Sequence, residues 1–125
     1  MAQGLNFEVI GMAKVQSFLK GKGKEVIKLA EKGIKEAGFF MEGEIKASIA
    51  GQRGETESVD TGAFKNSLST DNSKKLQSKV STNVKYGPML EFGTSNFQGR
   101  SHFGNSANRN KQKVTEFIQN EVNKV

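Results

Sequence analysis

Few side chains in this 125-residue chain can do acid–base or nucleophilic chemistry. There is one histidine, His102, and no cysteine, although serine is plentiful. Nucleophilic catalysis needs a nucleophile, a base and an orienting group in one place. His102 stands in the polar, glycine-rich stretch "GRSHFG", so we interpret it as a solvated or interface histidine in a loop. Asp60 and Glu91 could form a carboxylate pair, but no spacing brings them together. Glu91 is flanked by Leu90 and Phe92, which favours a packing or ion-pair role.

Two short motifs resemble pieces of catalytic signatures without their context. "KGKGKE" (20–25) lacks the G-x-x-x-x-G-K-[ST] spacing of a phosphate loop and the strand that precedes one, so we interpret it as a solvated helix joint. "DTG" (60–62) occurs once, after the polar "GETESV", whereas aspartic proteases use a pair in an apolar setting. One histidine without cysteine leaves only oxygen ligands for a metal. We expect no enzyme activity and no cofactor.

Charge and composition limit the class of protein further. The net charge of +6 is spread evenly, because residues 1–50, 51–100 and 101–125 each carry an excess of two basic side chains. Nucleic-acid-binding proteins usually concentrate such charge in a patch. Because the charge of this chain is spread, a small basic nucleic-acid-binding module is the alternative function and not the leading one. No apolar run reaches the roughly 18–20 residues of a membrane span. We expect a cytosolic protein, or one assembled in a cytosol, with no membrane partner.

The periodicity of apolar residues predicts an α+β fold. Residues 24–51 carry one apolar stripe at helical spacing, made of Ile27, Ala30, Ile34, Ala37, Met41, Ile45 and Ile49. Shorter helices are predicted over 12–23, after Pro88 and over 105–125. Strands are predicted over 5–11 and 76–84, the latter in a hairpin with 67–71. A small antiparallel sheet should therefore pack against a long helix and a C-terminal helix.

The predicted domain organisation is a single unit over residues 1–125. Only 34% of the residues are hydrophobic, and a thin core of this kind often gains stability from neighbouring copies. The stretch 94–113 is rich in Asn, Ser, Gly and basic residues. We predict a loop over 94–103 and a mobile interface segment over 94–113.

The segment 86–104, "YGPMLEFGTSNFQGRSHFG", has an unusual composition. It contains the only Tyr, the only Pro and the only His of the chain, together with three of the nine Phe and four of the fourteen Gly. Rigid rings are preferred material for interface anchors, and glycines let the backbone turn sharply between them. We predict a packed corner over 86–92 and a loop over 94–104 that reaches a neighbouring subunit.

Two motifs and their order resemble a known family. The motifs are "VDTGAFKNSL" (59–68) and "VSTNVKYGPMLEFGT" (80–94), followed by a basic loop and a final helix. Together they resemble the small head–tail neck, tail-completion or minor tail proteins of long-tailed bacteriophages, over roughly residues 5–122. The matching residues are Val59, Asp60, Thr61, Gly62, Ser67, Thr82, Asn83, Val84, Tyr86, Pro88, Glu91, Phe92, Gly93, Thr94, Arg100 and Ala107. The family's R-P-hydrophobic-hydrophobic-P-A segment is replaced by "GRSHFGNSA".

The resemblance implies a structural, non-catalytic protein. It would form a homo-oligomeric ring at the junction between portal and tail. Because neck proteins commonly stay monomeric until they dock, the resemblance implies that the ring forms only on docking. Neighbouring neck, tail terminator and tail tube proteins would be its partners. The protein would be located in the virion after assembly in the host cytoplasm, and its ring would leave a channel in which it contacts DNA without sequence preference. The interface residues proposed on this basis are Tyr86, Pro88, Phe92, Phe97, Arg100, His102 and Phe103.

Overall fold

The computed structural model describes residues 5–10, 24–58 and 62–124. The predicted helix over 12–23, residues 59–61 of the first motif and Val125 lie outside the described residues. The elements in chain order are β1 (Asn6–Ile10), α1 (Lys24–Ile49), α2 (Ala63–Asn66), β2 (Ser69–Asp71), β3 (Gln77–Ser81), α3 (Gly87–Phe92), β4 (Gly93–Thr94), β5 (Phe97–Gln98), α4 (His102–Arg109) and α5 (Lys111–Val122).

The long helix α1 confirms the prediction from the apolar stripe. Six of the seven stripe residues are fully buried, and the seventh, Ile27, packs against the core while partly exposed. Glu25 in the first turn and Lys46 in the last turn match the helix dipole. Because burying one large aliphatic side chain contributes about 1.5–3 kcal/mol, this stripe outweighs the poor helix propensity of three internal glycines.

A three-stranded antiparallel sheet lies against α1. The predicted hairpin of β2 and β3 is confirmed, and β1 pairs with the other side of β3, giving the order β1-β3-β2. Side chains along β3 alternate as expected for a strand with one wet face: Ser78 and Val80 are buried, and Lys79 between them is partly exposed. The α+β fold with a long helix, a small antiparallel sheet and a C-terminal helix is therefore confirmed.

The core follows α1 as two apolar clusters. The first surrounds the N-terminal half of α1, where partly buried residues of α5 cover it; its buried members are Val26, Ala30, Ile34, Ala37 and Leu76. The second surrounds the C-terminal half and is built from more elements; its buried members are Met41, Ile45, Ile49, Phe64, Leu68, Val80 and Phe103. The short elements after β3 therefore share the second cluster.

Two of the three glycines inside α1 allow close packing. A Cβ on Gly33 would lie 2.7 Å from the Cα of Ile118 in α5, and a Cβ on Gly38 would overlap the Ser78 hydroxyl of β3. Gly43 has open space around it, because a Cβ added there would meet nothing within 4 Å. The cost in helix propensity is thus offset at the two positions where a strand or a helix approaches the backbone of α1.

The predicted loop over 94–103 is wrong in its secondary structure. Residues 93–98 form the hairpin of β4 and β5, α4 begins at His102, and α5 begins at Lys111. The predicted C-terminal helix over 105–125 is therefore two helices that meet at Asn110. Composition misled here because polar and small residues favour loops only when nothing buries the few apolar ones, and Phe103 and Ser106 are buried in this segment.

Candidate functional site

A buried polar group joins the C-terminal end of α1 to the start of α4. Ser48 comes from the last turn of α1, Glu55 and Ser58 from the segment after it, and Arg100 and His102 from the approach to α4. We call these five residues the His102 cluster. His102 and Ser48 are fully buried, and the Phe64 ring lies beside the imidazole at a centroid distance of 6.1 Å.

The His102 ring is hydrogen-bonded on both nitrogens. Nδ1 lies 2.8 Å from Ser48 Oγ and Nε2 lies 2.7 Å from Ser58 Oγ. The hydroxyl of Ser48 donates to Glu55 Oε1 at 2.6 Å. On the other side, Arg100 donates to Ser58 Oγ at 2.9 Å and to the backbone carbonyl of Glu57 at 2.9 Å. The result is a continuous chain of hydrogen bonds from Arg100 to Glu55.

The direction of these bonds fixes the proton on the histidine ring. A carboxylate can only accept, so the single proton of Ser48 is used toward Glu55 and its oxygen must accept from Nδ1–H. In the neutral ring Nε2 then has no proton and accepts from the hydroxyl of Ser58, whose oxygen in turn accepts from Arg100. His102 is therefore held as the neutral tautomer with its proton on Nδ1.

Electrostatics favour this neutral form. Burial lowers the pKa of His102 to about 4; the Glu55 carboxylate opposes that shift and the Arg100 guanidinium adds to it. For Glu55, burial would raise the pKa, but hydrogen bonds from Arg109, Ser48 and Asn105 outweigh it and lower the pKa to about 2. The two Arg109–Glu55 contacts, at 2.9 and 3.1 Å, form a forked pair.

A serine within hydrogen-bond reach of a histidine suggests an activated nucleophile, but this pair is poorly suited to that role. A general base works best with a pKa near the operating pH, and burial takes the pKa of His102 well below neutrality. The oxygen of Ser58 also accepts a bond from the cationic Arg100, which withdraws electron density from it. The cluster is instead suited to holding the segment Gly51–Ser58 against α4.

Glu91 holds the N-terminus of α4. Its carboxylate accepts the backbone N–H of Phe103 through Oε1 and that of Gly104 through Oε2, both at 2.8 Å. These donors would otherwise lack partners in the first turn of a helix. Glu91 is itself buried, and the backbone around it is close, since a Cβ on Gly99 would lie 2.5 Å from the Glu91 carbonyl oxygen. The predicted packing or ion-pair role is thus replaced by helix capping.

The outward side of α3 carries exposed apolar side chains. Tyr86 is 41% exposed, Met89 48% and Phe92 74%. They follow one another at three-residue spacing, so they lie on one side of the helix. We call these three residues the α3 strip. Phe39, on α1, is another strongly exposed large apolar side chain, at 61%.

The structure separates the predicted interface residues into two groups. Tyr86 and Phe92 are on the surface, and Pro88 is partly buried in the first turn of α3. His102 and Phe103 are buried in the chain's own core, so neither side chain presents surface to a neighbouring subunit in this structure. They face inward because α4 begins at His102 and its first turn packs on α1. Arg100 is partly buried and bonded to the segment Gly51–Ser58.

Phe97 lies in β5, and its side chain is outside the described residues. Asp60 of the possible carboxylate pair is also outside them.

Sequence reasoning missed Ser48, Glu55 and Ser58 as partners of His102. The two serines stand 54 and 44 residues from it, and no local motif marks any of the three.

Within residues 24–58 and 62–124, no group of three or more acidic or histidine side chains is placed to hold a metal ion. Among the described helices, none combines the length and apolarity of a membrane span.

No protein-family model, curated protein or solved structure matches this chain.

Proposed function

We propose that this protein is a structural component of a phage head–tail connector. It forms a ring at the junction of portal and tail, next to neck, tail terminator and tail tube proteins, and leaves a channel for DNA. The observation that carries the proposal is the α3 strip, which presents three large apolar side chains to solvent. The two motifs within residues 59–94, and their order, resemble the phage neck family, and this resemblance is the reason for proposing this particular assembly.

Exposed apolar side chains in a group favour a protein–protein contact. A single exposed leucine or phenylalanine is normal on a protein surface, but clustered ones mark interaction sites. Aromatic residues and methionine are enriched at the centres of interfaces, and the α3 strip consists of Tyr86, Met89 and Phe92. A heterologous contact between copies of one chain closes into a ring when the rotation fits.

The support under the α3 strip suits a docking surface. The inward residues of α3 are Gly87 and Glu91, both buried, and Glu91 ties α3 to α4 through two backbone hydrogen bonds. The backbone N–H of Arg100 also donates to the Leu90 carbonyl at 2.7 Å. A surface held in place before binding loses less conformational entropy on association.

The diffuse net charge of +6 is compatible with a DNA channel. Contacts to phosphates are non-specific and salt-dependent, and they need no concentrated patch when many copies face one duplex. A free-standing nucleic-acid-binding module would instead bind short DNA as an isolated subunit.

The experiment compares two exposed phenylalanines in particles from the native source. Phe92→Ser should abolish incorporation of the protein into phage particles, measured by quantitative mass spectrometry of purified virions, and leave the melting temperature within about 2 °C because the side chain is exposed. Phe39→Ser is the matched control and should be incorporated normally.

Absence of the unmodified protein from virions would reject the connector role, and salt-dependent binding of the monomer to DNA would then favour the alternative. Normal incorporation of Phe92→Ser would reject the α3 strip as the interface.

A further inference from the structure

The His102 cluster is more than a packing contact, because its hydrogen bonds are satisfied by only one arrangement of protons. We infer that neutral His102 is a proton-controlled latch that clamps the segment Gly51–Ser58 onto the start of α4. A second proton on its ring loosens that segment at Ser58, where the hydrogen bonds from His102 and Arg100 meet, while the Glu55–Arg109 pair is left in place. The inference is independent of the proposed assembly role, since it concerns the protonation of a buried side chain and needs no contact with another subunit.

The segment depends on few other anchors. Gly51, Gln52, Arg53 and Gly54 are exposed, and no apolar side chain occurs between Gly51 and Ser58. Beyond the end of α1, its described polar links to the rest of the chain are made at Glu55, Glu57 and Ser58, apart from the exposed Arg53–Glu44 ion pair at 3.1 Å. The amide of Ser58 donates to the Ile49 carbonyl at 2.7 Å. A segment with few apolar contacts opens locally at low free-energy cost.

A proton on Nε2 breaks the pattern of donors. Ser58 Oγ would then face two cationic donors, His102 and Arg100, and its own proton would have to turn away. Among the described residues, a further acceptor for that proton is the Thr56 carbonyl at 3.5 Å, the outer limit for a hydrogen bond. Protonation thus directs two cationic donors at one hydroxyl oxygen inside the protein.

The other charged groups that the structure describes around the ring do not cancel this effect. Within residues 24–58 and 62–124 they are Glu55 and Glu57 from the segment, Arg100, Arg109 from α4, Glu91 from α3 and Glu44 from α1. Glu55 is neutralised by its forked bond to Arg109, and the Glu91 carboxylate is used by the amides of α4. Arg100 is joined to Nε2 through the hydroxyl of Ser58.

The sign of the pH effect follows from the folded and ordinary pKa values. The pKa of His102 is about 4 in the closed form against 6.5 for a free histidine. The clamp is therefore fully present above pH 6.5 and is lost progressively as the pH falls toward 4. Between pH 7 and pH 5 the opening equilibrium should increase roughly 20-fold. Glu55, with a pKa of about 2, does not titrate in this window.

Hydrogen exchange of two amides tests the latch. The Ser58 amide should exchange faster than that of Ile34, which lies in the middle of α1 and reports global unfolding. After correction for the intrinsic rate, its protection should fall roughly 20-fold from pH 7 to pH 5. In His102→Gln, whose amide cannot titrate but can still accept from Ser58, that decrease should disappear.

Three results would overturn the latch: equal protection of Ser58 and Ile34, no pH dependence in the unmodified protein, or the same dependence in His102→Gln. Should His102→Gln fail to fold, the ¹⁵N spectrum of the single histidine decides. A ring with its proton on Nδ1 and a pKa below 5 supports the latch, whereas the Nε2 tautomer or any higher pKa rejects it.

Discussion

The two halves of α1 are held in different ways. The N-terminal half packs through apolar side chains against α5 and Leu76, and Gly33 lets the backbone of α5 approach. The C-terminal half also has an apolar cluster, but its last turn is bonded to the His102 cluster through Ser48. Apolar packing is non-directional. Hydrogen-bond chains are directional and depend on protonation, so the His102 cluster should respond to pH and to isosteric changes that apolar packing tolerates.

The largest effect is expected in the apolar half. Ile34→Ala removes a fully buried side chain from the first cluster and should lower the free energy of unfolding by about 2–5 kcal/mol. The loss should be the same at pH 7 and pH 5, because no titratable group is involved. Urea denaturation at both pH values measures it. A pH-dependent loss would show that the two halves are not held by different interactions.

A smaller effect is expected at the Glu91 cap. Glu91→Ala leaves two amides of α4 without their acceptor and should lower the free energy of unfolding by about 1.5–3 kcal/mol, the value of hydrogen bonds to a charged group. Glu25→Ala, at an exposed glutamate in the first turn of α1, is the control and should cost less than about 1 kcal/mol. Urea denaturation of both variants measures the difference. Equal losses would remove the structural role assigned to Glu91.

The smallest effect distinguishes a packed glycine from an open one within α1. Gly43→Ala meets nothing within 4 Å and should stabilise the protein by up to about 1 kcal/mol through helix propensity. Gly38→Ala places a methyl group on the Ser78 hydroxyl and should destabilise it instead. Thermal unfolding of the two variants gives opposite shifts in melting temperature if the packing of β3 on α1 is as close as described.

The periodicity of apolar residues was sufficient to predict the regular elements, α1 and β3. The stripe of α1 and the alternation along β3 repeat within a few residues, so the sequence identifies both the elements and their buried faces. The short helix after Pro88 was also predictable, because proline suits the first turn and Gly93, at φ 85°, ends it. The region after Thr94 was not predictable, since its Gly, Asn and Ser residues favour loops unless tertiary contacts bury the helix start.

The sequence by itself determined the fold class, the apolar face of α1, the hairpin of β2 and β3 and the unusual composition of residues 86–104. Only the tertiary structure decided that Phe92 faces solvent while His102 and Phe103 face the core. It also decided which serines bond to the imidazole and that Glu91 caps α4. The physical reason is distance along the chain: periodic burial is written within one element, whereas hydrogen bonds between residues 12 to 54 positions apart exist only once the elements have packed.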